Sequence, residues 1–113
     1  MSNLINHDLA HRYIILDLVI RTLERDLQHL NDLKTKEVIT KLYERAVIQA
    51  REELKHTQKE MHREGLRMSN VRREDELITV YTVIQKGLSN ELRYISYALR
   101  NHTLTEIERL LNI

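Results

Sequence analysis

Residues 77–99 read Leu77-Ile78-Thr79-Val80-Tyr81-Thr82-Val83-Ile84-Gln85-Lys86-Gly87-Leu88-Ser89-Asn90-Glu91-Leu92-Arg93-Tyr94-Ile95-Ser96-Tyr97-Ala98-Leu99, and the reading of this stretch decides the fold. Apolar residues recur at Leu77, Tyr81, Ile84, Leu88, Leu92, Ile95 and Leu99, in alternating steps of four and three with one further step of four. That spacing keeps one stripe of a helix turned toward a neighbour. It predicts a long third helix, capped by Ser69 or Asn70, with Glu74, Asp75 and Glu76 near its positive end. Val80, Tyr94 and Ala98 broaden the stripe. Gly87 then falls mid-helix, where glycine costs about 1 kcal/mol relative to alanine, and allows a close helix approach or a kink.

The same period governs the chain upstream. Leu9, Tyr13, Leu16, Ile20, Leu23, Leu27 and Leu30 form an unbroken seam for a first helix that starts after Asn6, a good N-cap, with Asp8 in its first turn. Ile14, Ile15, Leu18 and Val19 widen the apolar face, so this helix is expected to meet neighbours on two sides. Continuing the register would put Lys34, Glu37 and Lys41 in the seam. A turn near Asn31–Lys36 is the simpler solution, with Asp32 or Thr35 capping the next helix; one continuous helix with a stutter is the alternative. The second helix follows Ile39, Tyr43, Ala46, Ala50, Leu54, Thr57 and Met61 to about Glu64, where Gly65 is a natural C′ residue. Leu66–Val71 has no helical period and reads as a connection packed back on the helix ends. Thr103-Leu104-Thr105-Glu106 fits a capping box, which ends the third helix and opens a short last one. The expected fold is all-α: a single domain over residues 1–113, an antiparallel bundle of three long helices plus a short C-terminal helix.

Composition supports few, long elements. The chain of 113 residues has no Pro and only two Gly, the residues on which turns draw. It has no Cys, which excludes disulfides and thiolate chemistry. A net charge of +1 is low for a dedicated nucleic-acid binder. The most apolar run, Tyr13–Ile20, contains Asp17 and is too short to span a bilayer. No secretory signal is visible, so a cytoplasmic location without membrane contact is expected.

Several groups of residues are candidates for chemistry. Glu53 and His56 form an E-x-x-H, the spacing with which helical di-metal proteins place a carboxylate and an imidazole side by side. His7 and His11, four apart, put two rings on one helix face. A complete site needs more ligands than either pair supplies, so solvated surface residues are the simpler reading of all four. Lys59, Arg63, Arg67, Arg72 and Arg73 form a basic cluster able to contact phosphates, diluted by Glu60, Glu64 and residues 74–76. Tyr94 and Tyr97, flanked by Arg93 and Arg100, are candidates for a partner-binding surface. The expected seams hold almost no carboxylates, Glu91 and Asp17 being the nearest, and no phosphate loop or nucleophile elbow is present. Catalysis and a bound cofactor are therefore not expected.

Tyr43, the charged stretch after it, the Gly65-Leu66 turn, Tyr81, Gly87, and a polar break before a short last helix together resemble the small YhjD-like proteins of Bacillus and relatives. The resemblance covers roughly residues 38–112; a Pro expected near Tyr43 is missing. It implies a helical fold and a bacterial or phage origin, and it transfers no functional residue. The expected function is that of a non-enzymatic interaction or regulatory protein, contacting a protein partner or forming a homo-oligomer. A nucleic-acid-linked regulator and a metal-binding bundle are the alternatives.

Overall fold

A computed structural model describes residues 6–30 and 34–113. It corrects the all-α helical bundle. The chain is α+β, in the order α1 (His7–Leu27), α2 (Lys36–Glu64), β1 (Leu66–Arg73), β2 (Ile78–Gln85), β3 (Leu88–Ile95) and α3 (Ser96–Leu111). The strands form one antiparallel sheet in the order β1-β2-β3.

Up to Gly65 the helical period holds. Asn6 caps α1, its Oδ1 accepting from the Leu9 N–H at 3.0 Å. Leu9, Leu16, Ile20 and Leu23 are buried, and so are Ile14, Ile15 and Val19 from the widened face. α1 packs against both α2 and α3, the two-sided contact its sequence called for. It ends at Leu27 and α2 starts at Lys36, so the two are separate helices. Thr35 takes the N-cap position without a side-chain cap bond; Asp32 and much of the expected turn lie outside the described residues. Cross-links from Arg12 to Glu53, from Arg51 to Glu24 and from Asn6 to Glu64 set α1 and α2 antiparallel. Ala46, Val47, Ala50, Thr57 and Met61 are the buried side of α2. Gly65 closes it in the left-handed conformation, at φ 67°.

Past Gly65 the third long helix does not exist. Ile78, Thr79, Val80, Thr82, Val83 and Ile84 are β-branched, which restricts χ1 on a helix and packs well on a pleated surface. Lys86 and Gly87 both have positive φ, 52° and 83°, and join the paired residues Gln85 and Leu88. This is a two-residue hairpin of the type whose twist matches the strands. The acidic run expected near a helix start is instead a turn. Asp75 Oδ1 accepts from the N–H of Leu77 at 2.7 Å and of Ile78 at 2.9 Å, closing the β1–β2 connection. Ser69, one of the two expected caps, falls in a register shift between Met68 and Asn70 of β1.

The helical seam misled because of parity. A step of four leaves a strand residue on its own face, and a step of three moves it across. Tyr81 and Leu92 thus join the core beneath the helices, whereas Ile84 and Ile95 take the other face by register. On that outer face Val80 is fully buried although no helix covers it. Arg72 and Arg93 stand opposite it on the two flanking strands, where Arg72 pairs with Glu91 and Arg93 with Glu74.

The expected capping box is also corrected. Thr103 lies inside a continuous α3, 5% exposed, and its hydroxyl donates to the Leu99 carbonyl one turn back at 2.9 Å. The short separate C-terminal helix is the second half of α3. Leu99, Thr103 and Ile107 are its buried residues.

Candidate functional site

The sequence candidates disperse over this fold. Glu53 is a clamp between helices, accepting from Arg12 of α1 at 2.9 Å and from Arg109 of α3 at 2.7 Å. Burial raises its pKa, but hydrogen bonds from Gln49 and Arg109 and the charges of Arg109 and Arg12 outweigh that and hold the carboxyl below its ordinary range. His56 turns to Glu60, 2.9 Å away, and His7 is exposed. Among the described residues no group of three or more His, Asp or Glu is placed to hold a metal ion. The basic cluster is likewise split. Lys59 and Arg63 are exposed on α2, and Arg67 and Arg72 share the outer sheet face by register. Arg73, opposite Thr79, turns toward the helices. Arg93 and Tyr94 are neighbours on β3 and so point to opposite faces, whereas Tyr97 and Arg100 belong to α3.

What the fold does assemble is a polar aromatic relay where α1 crosses α3 and the sheet. Tyr81 meets Tyr94 edge to face at 5.7 Å between ring centroids. Tyr94 stacks on His11 at 5.6 Å, and His11 meets His102 edge-on at 5.5 Å. The Tyr94 hydroxyl lies 2.8 Å from His11 Nδ1. Burial, and secondarily Tyr81, pushes Tyr94 up to about 12, so its hydroxyl keeps its proton. Burial, and then the charge of His102, lowers the pKa of His11 against the opposing pull of Asp8. A neutral ring with its proton on Nε2 can accept a hydrogen bond from the tyrosine hydroxyl at Nδ1. The relay opens on a cleft of about 200 Å³ lined by His11, Arg12, Ile15, Leu16, His102, Thr105 and Glu106.

A second, larger cleft of about 480 Å³ lies farther along the α1–α3 seam, where both helices meet the ends of β1 and β2. Leu18, Thr22, Arg25 and Asp26 line it from α1, Arg73 and Thr79 from the sheet, and Ser96, Leu99, Arg100, Thr103 and Leu104 from α3. No sequence signal linked these residues: each side contributes isolated positions that meet only because the β2–β3 hairpin returns the chain to α1.

Where β2, β3 and α3 join, Leu77, Ile95 and Tyr97 are 69%, 59% and 73% exposed. They adjoin one another in the fold. The Ser96 N–H donates to the Leu77 carbonyl at 2.8 Å, and Ile95 pairs with Ile78. Three exposed apolar residues thus lie close along the backbone at one end of β3, an edge strand, with Ile95 on the outer face by register.

Fold and surface define a small α+β protein: helices on one face of a three-stranded antiparallel sheet, with clefts where the first and last helices cross. The chain belongs to the YhjD protein family, whose model matches residues 3–113. The match extends over α1 as well as the region that carried the resemblance. The helical fold drawn from that resemblance is what the sheet overturns. No curated protein matches the chain, and no solved structure does. No helix among the described residues is long and apolar enough to cross a membrane.

Proposed function

We propose that the chain is a cytoplasmic, non-enzymatic interaction protein that works through its exposed corner, with a second copy of itself as the occupant. The observation that carries this reading is the exposure of Leu77, Ile95 and Tyr97 together at the end of β3. An edge strand offers unpaired backbone groups that a second strand can take up. β3 is also self-complementary. Two copies placed antiparallel about Leu92 bring Glu91 of each opposite Arg93 of the other on the outer face, with Leu92 against Leu92 on the inner one. Such an interface is isologous, as a two-fold dimer requires.

Sedimentation equilibrium from micromolar to millimolar concentration tests it. The expected result is a dimer of the 13.6 kDa chain whose dissociation constant rises at least about tenfold in Ile95→Lys, a loss of about 1.4 kcal/mol. A monomer at every concentration, or a dimer indifferent to Ile95→Lys, overturns it.

A further inference from the structure

We propose that the larger cleft on the α1–α3 seam is a binding site for a small phosphomonoester, a reading independent of self-association. Three arginines from three separate elements converge there: Arg25 from the last turn of α1, Arg73 from the end of β1 and Arg100 from α3. Asp26 is the only carboxylate in the lining. Outside the cleft six of nine arginines are paired among the described residues, Arg45, Arg63 and Arg67 being the exceptions. Arg12, Arg21, Arg51, Arg72, Arg93 and Arg109 each pair with a carboxylate. Among the described residues Arg25 and Arg100 have no such partner. Arg73 spends its donors on the backbone carbonyls of Asp75 and Glu76, at 3.3 and 3.2 Å. Those bonds fix its guanidinium without cancelling its charge. Three exposed like charges on one concavity, with Asp26 the one opposing charge, leave a net positive potential there that an anionic ligand would meet favourably.

The donors suit phosphate. Guanidinium forks match the spacing of phosphate oxygens and bind them two at a time. The hydroxyls of Thr79 and Ser96 are 2.9 Å apart and share one hydrogen bond, which leaves one of their two protons free to donate outward. The cleft is larger than a bare phosphate needs and falls within the range of small-molecule sites. Leu18, Leu99 and Leu104 give it an apolar wall, which suits a compact organic group esterified to the phosphate.

Isothermal titration at low salt and pH 7.5 tests the site, with phenyl phosphate, inorganic phosphate, phenol and a short single-stranded oligonucleotide as probes. Phenyl phosphate is expected to bind saturably at one per chain and more tightly than inorganic phosphate, with no heat from phenol. Arg25→Gln and Arg100→Gln should each weaken it about tenfold or more, the loss of a charge-assisted contact. Arg63→Gln, an exposed arginine of α2 outside the cleft, should leave it unchanged. Amide shifts on titration should centre on Thr22, Ser96 and Arg100. The proposal fails if neither phosphate saturates, or if Arg63→Gln costs as much as Arg100→Gln. It fails equally if inorganic phosphate binds as tightly as the ester, or if the oligonucleotide binds tightest.

Discussion

His11 is the residue on which the α1–α3 crossing turns. Its pKa is lowered from 6.5, first by burial and then by His102. In the unfolded chain the same imidazole takes up its proton at higher pH. Between 6.5 and the folded value the unfolded state therefore binds more protons, so this contribution to stability is complete above 6.5 and is lost as pH falls through that window. Protonating Nδ1 would also remove the acceptor facing Tyr94. Urea unfolding at pH 7.5 and at pH 5.5 should show the native chain weakening toward the lower pH, and His11→Gln weakening distinctly less. An equal slope in the variant would assign the pH dependence elsewhere. The sequence marked His11 through its spacing from His7, as a ligand pair. Its actual neighbours, Tyr94 and His102, come from 83 and 91 positions away, a distance over which spacing carries no information.

At the scale of elements, what was legible depended on whether one period had a rival. α1 and α2 carry a stripe with period 3.5 and end in the residues that ends require, Asn6 and Gly65. Residues 77–99 carry two periods at once. The helical one uses Leu77, Tyr81, Ile84 and Leu88; the strand one uses the β-branched run 78–84. Lys86-Gly87 decides between them, because a two-residue turn with both φ positive lets the strands pair. The candidate surfaces were illegible for the same reason, since the hairpin separates Tyr94 from Tyr97 and brings Arg73 to Arg100. Gly87→Ala tests the assignment by sign. Inside a helix the change would stabilise by about 1 kcal/mol. At φ 83° an alanine is strained, and nothing lies within 4 Å of the added Cβ to offset or worsen that. A loss of about 1–2 kcal/mol in chemical denaturation is expected; a gain would return the stretch to a helix.

At the scale of the whole molecule, one carboxylate links all three helices. Glu53 of α2 receives Arg12 of α1 and Arg109 of α3, and Glu106 holds Arg109 from the other side. Glu53 is 14% exposed, but both arginines are about half exposed, which screens each pair. The value of the clamp lies in its being shared: replacing Glu53 leaves two guanidiniums facing one another without the charge between them. Glu53→Gln should cost about 1–2 kcal/mol. Arg12→Ala and Arg109→Ala should each cost less, because each also relieves the repulsion between the two arginines, and the double variant should cost more than their sum, because that relief is gained only once. The pH sense follows from the lowered pKa. The unfolded carboxyl titrates near 4.5, so the clamp is fully formed above that value and is released as pH falls through the lower folded value. Acid unfolding of the native chain should therefore be steeper below pH 4.5 than that of Glu53→Gln. Raising the salt concentration should narrow the gap between them at neutral pH. Identical acid transitions would mean that the clamp does not couple the helices.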